Sequence, residues 1–218
     1  MRMSNRWNLF VYRLWAPVYD ATVGHLFMPG RRRAIQLLAL QPGERVLLVG
    51  VGTGADLPLL PAGVQATAID LSLQMLEEAG QKITQCRASV ELIQGDAQSL
   101  LVPEGSFDAA ILNLILSVVP DGHACLYATL QALRPNGRAV VFDKFRPDGA
   151  RLSLSRRCAN WFSTAFGTDI TRTFGDLARG LDLATTRDEP SLLGGMYRIL
   201  LIRKAAAATA APRGMTGV

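Results

Sequence analysis

Residues 45–54 read RVLLVGVGTG, and the next apolar run, QATAID, closes on Asp70. A buried strand that runs into a glycine-dense turn, followed by a second strand ending on a carboxylate, is how an open α/β sheet holds an adenosine-containing cofactor. Glycines at 50, 52 and 54 let the backbone turn tightly and approach a ligand that any Cβ would push away. Asp70 stands about 20 residues past the first glycine, in reach of ribose hydroxyls. The stretch from Gly50 to Ala55 also satisfies the G-x-G-x-x-G/A spacing of dinucleotide binders, whose third small residue permits close helix–strand packing. At this point a nicotinamide-type dinucleotide and other adenosine cofactors both remain open.

The elements around the turn alternate. Strands are expected at residues 45–50, 65–70, 90–94, 108–113 and 138–143, with a closing strand at 196–204. A short Pro-containing helix is expected at 55–60, Ser72 caps a helix through about Cys86, and Asp121 caps another to Leu133, stopped by the turn Arg134-Pro135-Asn136-Gly137. Residues 150–182 read as helical. Such alternation specifies a parallel sheet with helices on both faces. Residues 1–40 read as an N-terminal helical cap, 41–204 as the cofactor-binding domain, and 205–218, low in complexity, as a disordered tail.

Within the cap, Trp7, Phe10, Val11, Leu14, Trp15, Val18 and Tyr19 recur at spacings of three and four beside Arg6 and Arg13. That stripe suits either a helix packed on the core or an interfacial helix at a membrane surface. Pro29-Gly30 punctuates, so residues 31–40 are expected as a separate helix.

Composition bounds the alternatives. At 218 residues the chain is one ordinary domain. No apolar run approaches the roughly 20 residues of a membrane span, and the N-terminus lacks signal-peptide order, so a cytoplasmic protein is expected, with peripheral association at the inner membrane face. Cys86, Cys125 and Cys158 lack C-x-x-C spacing, and no metal site is expected. The net charge of +5 is concentrated in clusters such as Arg31-Arg32-Arg33, which suit an anionic lipid surface or a solvated face. Aromatic residues do not interleave with the basic ones in a base-stacking pattern, so nucleic acid is not an expected partner.

The order VGVGTG, AIDLS, GDAQSL, FDAAILNLILSVVPD and LRPNGRAVVFDKF resembles the class I S-adenosylmethionine-dependent methyltransferases over residues 40–145. The resemblance implies a Rossmann-like, seven-stranded, mostly parallel sheet whose last strand, supplied by residues 197–203, is antiparallel. It also implies S-adenosylmethionine as cofactor. By position, Gly50, Gly52, Thr53 and Gly54 would form the cofactor loop and Asp70 would accept the ribose hydroxyls. Leu71 and Met75 would flank adenine, Asp96 with the Ala97 backbone would read its amino group, and Asn113 would face the methionine portion. One departure stands out: family members place an acid two residues before the first glycine, where this chain has Leu48. Asp56, just past the turn, is the residue that could substitute.

The flanks resemble the soluble bacterial phosphatidylethanolamine N-methyltransferases and the ubiquinone/menaquinone biosynthesis methyltransferases, through Pro-Val-Tyr19-Asp20, LSVVPD, VVFDKF and GTDITR. They imply Tyr19 and Asp143 as catalytic candidates, with Tyr19, Lys144 and Arg172 toward a small-molecule or lipid acceptor. An amine is the leading acceptor, a quinone precursor or secondary metabolite the alternative. A cofactor-binding protein without turnover is the reading Leu48 supports. His25 and His123, the only histidines, occupy no motif position.

Overall fold

The computed structural model describes residues 24–146 and 171–206. One seven-stranded sheet has the order β3-β2-β1-β4-β5-β7-β6. Its strands are β1 (Arg45–Val49), β2 (Gln65–Asp70), β3 (Ser89–Gln94), β4 (Phe107–Asn113), β5 (Leu133–Lys144), β6 (Leu183–Pro190) and β7 (Tyr197–Lys204). Pairings from β3 through β5 are parallel, and β7 runs antiparallel to both β5 and β6. The chain builds outward from β1 to β3 and then returns to β4, so the direction of winding reverses between β1 and β4.

Alternation along β1 divides the core between the two faces of the sheet. Val46 and Leu48 join Phe27, Ala34, Ile35 and Leu38 of α1 (Gly24–Leu38) and Leu76 and Ala79 of α2 (Leu73–Lys82). Leu47 and Val49 face the other way, toward Leu126 and Leu130 of α3 (Gly122–Ala132) and Leu177 of α4 (Phe174–Ala178). Helices thus cover both faces, as the alternating pattern requires. Both expected caps form: the Ser72 hydroxyl accepts from Met75 N and the Asp121 carboxylate from Ala124 N.

Several expectations need correction. Pro29 and Gly30 do not separate two helices, because both lie inside α1. Proline costs the helix one backbone hydrogen bond, but apolar residues on either side, Phe27 and Ala34, are buried in one cluster and hold the helix through it. Gly30 serves close approach rather than a turn: a Cβ there would stand 2.4 Å from the Phe142 ring. The Arg134-Pro135-Asn136-Gly137 turn is absorbed into β5 as a bulge, between the pairs Phe107–Leu133 and Ala109–Arg138.

Strand β6 has no counterpart in the sequence reading. Its run LATTRDEP is polar and exposed along most of its length, as befits a charged edge strand, and so carries no buried alternation. Of the helix expected over 150–182, only Phe174–Ala178 is helical among the described residues. The aromatic stripe of the cap, Tyr19, residues 147–170 and residues 207–218 of the expected tail lie outside them. No helix among the described residues is long and apolar enough to cross a membrane.

Arg138 fastens the end of α1 to the sheet. Its Nε donates to Leu38 O at 2.6 Å, and its two terminal nitrogens meet the Glu44 carboxylate at 2.9 and 2.7 Å. The guanidinium holds the Glu44 carboxyl below its ordinary pKa. Replacing Arg138 with Ala should cost about 1.5–3 kcal/mol of stability in urea unfolding at neutral pH. Because the Glu44 pKa is depressed in the fold, that contribution is present above its unfolded value and lost as pH falls through the folded one. The gap between wild type and variant should therefore narrow in acid.

Candidate functional site

The carboxyl ends of β1 and β4 lie where the winding reverses, the place at which open α/β sheets leave a crevice for ligands. The glycine turn follows β1. Gly50 N and Val51 N both donate to Ile69 O, at 2.8 and 2.9 Å, which draws the turn across the end of β2. Its three glycines have positive φ, at 70°, 55° and 80°, and each has a different neighbour. A Cβ on Gly50 would stand 2.4 Å from Ile115 Cδ1, and one on Gly54 2.9 Å from Ala79 Cα of α2. A Cβ on Gly52 would meet nothing within 4 Å among the described residues. The first glycine thus admits the loop after β4, the third admits a helix, and the middle one borders open space.

Asp70 ends β2 beside this turn. Its carboxylate accepts from Gly52 N at 2.8 Å and Ser72 N at 2.9 Å. Burial pushes its pKa up, against the pull of the Ser72, Gly52 and Leu71 amides. About four acceptor sites are available on an ionised carboxylate, so capacity for a hydroxyl donor remains. Met75 is buried in the first turn of α2, Leu71 is half-buried before it, and Thr53 is buried with Lys82 Nζ at 3.4 Å from its hydroxyl. Beyond β3, Gly95 N donates to Asp70 O at 2.9 Å, which ties the next loop to the same edge. There the Asp96 carboxylate accepts from Gln98 N at 2.9 Å in an Asx turn, with Ala97 buried behind it.

Asn113, the last residue of β4, is 5% exposed. Its Nδ2 donates to Asp56 Oδ1 at 3.0 Å, and Asp56 Oδ2 meets Arg31 Nη1 at 2.6 Å. Asn113 Oδ1 is buried with no hydrogen-bond partner among the described residues. Arg31 escaped the sequence reading except as one of a basic run; it lies 25 positions from Asp56, and no local pattern links them. Leu48 is 1% exposed within the apolar cluster on the α1 side of the sheet.

After Asn113 the chain bends through Leu114 at φ 62°, an outlier for a branched side chain. Leu114 N donates to Phe142 O at 2.7 Å, and Ile115 folds over Gly50. Asp143, near the end of β5, is fully buried and accepts from Ser117 N at 2.9 Å and Lys144 N at 2.8 Å. Burial pushes its carboxyl above the ordinary range. Arg172 bonds through its terminal nitrogens to the carbonyls of Leu116 and, at 3.0 Å, Pro120. Asp143 and Arg172 therefore brace one loop, 114–120, from two sides. Lys144 Nζ lies 6.0 Å from the Tyr197 ring centre. His25 is exposed on α1, and His123 Nδ1 lies 2.8 Å from Leu177 O, which fixes it as a donor because a carbonyl only accepts.

The family described as "Methyltransferase domain" matches residues 47–141. The chain is 29% identical to the phosphatidylethanolamine N-methyltransferase of Cereibacter sphaeroides over 195 residues, 88% of this chain and 95% of that one. It is 35% identical to the demethylmenaquinone methyltransferase of Beutenbergia cavernae over 167 residues, 75% of this chain and 67% of that one. Other demethylmenaquinone methyltransferases are spanned over only 53, 56 or 62% of their length. Among solved structures, a SAM-dependent methyltransferase from Thermotoga maritima shares the fold with a TM-score of 0.66 at 18% identity, over 89% of this chain and 99% of that one.

Proposed function

The chain belongs to the class I S-adenosylmethionine-dependent methyltransferases, and from that premise we propose that it methylates an amphipathic acceptor, foremost the amine of a phosphatidylethanolamine-type head group. Features of the crevice fit the cofactor: the open space at Gly52, the Asp70 carboxylate with acceptor capacity left, and the buried Asn113 Oδ1 awaiting a donor. When bound, S-adenosylmethionine supplies a methyl group on a sulfonium, already a strong leaving group. Gly50, Gly52, Thr53 and Gly54 would line it, Asp70 would take the ribose hydroxyls, Leu71 and Met75 would flank adenine, and Asp96 with Ala97 would meet the adenine amino group.

The chain's own contribution is then mainly positioning. Asp143 holds the Ser117 backbone and with it the loop whose Ile115 covers the glycine turn. An amine acceptor must be neutral at attack, and Tyr19 is the group proposed to accept or steer its proton; Asp143, expected as the other catalytic candidate, is fully buried against Ser117 N and Lys144 N and acts by holding the loop. Lys144 and Arg172 supply positive charge on the side of β5, suited to a phosphate head group. Trp7, Phe10, Leu14 and Trp15 beside Arg6 and Arg13 would bring the chain to an anionic bilayer.

What carries the acceptor is the end-to-end likeness to the Cereibacter phosphatidylethanolamine N-methyltransferase, which extends well past the cofactor core. A quinone precursor is the second reading, supported by the Beutenbergia relative. Purified protein with methyl-labelled S-adenosylmethionine should label phosphatidylethanolamine in vesicles, more when anionic lipid is present, and leave phosphatidylcholine vesicles unlabelled. Label on a demethylmenaquinone extract and none on the amine lipid would replace the first reading with the second.

A further inference from the structure

Gln98, half-buried in the loop after β3, spans from that loop to the start of α3. Its Nε2 donates to both oxygens of the Asp96 carboxylate, to Oδ1 at 3.0 Å and to Oδ2 at 3.3 Å. Its backbone N donates to the same Oδ1 at 2.9 Å. On the other side, Gln98 Oε1 accepts from Asp121 N at 2.8 Å. These partners fix which way the amide faces. A backbone N–H can only donate and an ionised carboxylate can only accept, so a flipped amide would lose the bonds on both sides.

The anchor at Asp121 is itself held. Asp121 is the N-cap of α3, and a Glu or Gln three positions further on commonly reaches back to the N-cap amide. Here that position is Ala124, which has no such group, and Gln98 takes its place from 23 positions earlier in the chain. The carbonyl of the same peptide, Pro120 O, accepts from Arg172 Nη2 at 3.0 Å. The Pro120–Asp121 peptide is therefore gripped at both its N–H and its C=O, and Gln98 leans on backbone whose plane is set from two sides.

Asp96 is the residue proposed to meet the adenine amino group. An N–H bonds well to a carboxylate only near the lone-pair directions of an oxygen, and a carboxylate free to rotate loses that freedom when a ligand binds. A carboxylate whose plane is set beforehand avoids this cost. We propose that Gln98 is a positioning residue for base recognition: by holding the Asp96 carboxylate against the Pro120–Asp121 peptide, it sets the preference of the cofactor site for adenine over purines that lack the exocyclic amino group. The inference rests on the assignment of Asp96 to adenine, and its test separates the two claims.

Isothermal calorimetry on the full chain would compare S-adenosylhomocysteine with its 6-desamino analogue, in which hydrogen replaces the amino group. Wild type should favour S-adenosylhomocysteine about tenfold to a hundredfold, the range for a hydrogen bond to a charged acceptor. Gln98→Met, which keeps the length and removes the amide, should shrink that preference about threefold to tenfold. It should leave the affinity for the desamino analogue within about twofold, which also certifies that the variant folds. In Asp96→Ala the preference should vanish, and adding Gln98→Met should change it no further, because Gln98 acts through that carboxylate. Should Gln98→Met not bind the analogue, Gln98→Asn, an amide one methylene too short to span both partners, should show the reduced preference. An unchanged preference in the Gln98 variant, whether neither ligand is weakened or both are weakened equally, overturns the proposal and leaves Asp96 with adenine. Equal affinity of wild type for the two ligands, or a preference that survives in Asp96→Ala, overturns the adenine assignment itself.

Discussion

Replacing Asp70 with Ala should weaken S-adenosylhomocysteine binding by about 1.5–3 kcal/mol, the range for hydrogen bonds to a charged acceptor, or roughly tenfold to a hundredfold. The carboxylate is oriented by Gly52 N and Ser72 N, so the loss falls on a group whose geometry is set before the ligand arrives. Burial raises its pKa, and the ligand hydroxyls need the ionised form. Affinity should therefore be level at neutral pH and fall as pH drops through that raised value, at a higher pH than an ordinary aspartate would give. The Asp70→Ala variant should lack this inflection. NAD should bind neither protein measurably in the same titration. Wild-type affinity in the variant would remove Asp70 from the ribose contact.

The three glycines of the turn should separate stability from binding. Gly54→Ala places a methyl 2.9 Å from the Ala79 backbone, at φ 80°, in a position that helix α2 closes off. Backbone strain and overpacking add, and urea unfolding should show a loss of about 2–4 kcal/mol. Gly52→Ala meets no atom of the described residues within 4 Å, so only the strain of φ 55° remains, about 1–2 kcal/mol. Its binding defect should be the larger of the two when both folded variants are titrated with S-adenosylhomocysteine, because the added methyl stands where a ligand would approach. Equal binding defects would mean that the middle glycine serves the turn alone.

Local chemistry in the sequence determined the features that depend on a few consecutive residues. The apolar run into Gly50, Gly52 and Gly54 needs backbone conformations that only glycine adopts freely, and Asp70 is placed by the length of one βαβ step. Ser72 and Asp121 cap helices through their own third neighbours, so those starts were legible too. Tertiary structure decided whatever depends on residues brought together from afar. The continuity of α1 through Pro29 rests on packing against β5 and β7, β6 is held by pairing to β7 rather than by an apolar face, and Asp143 finds Ser117 only across the β5 edge of the crevice. Arg31, Asp56 and Asn113 are separated by 25 and 57 positions, and they meet because sheet order sets β1 beside β4 while α1 covers that face. A carboxylate missing from a strand is visible in one dimension; the Arg31–Asp56–Asn113 contacts exist only where burial and strand order bring three elements to one point.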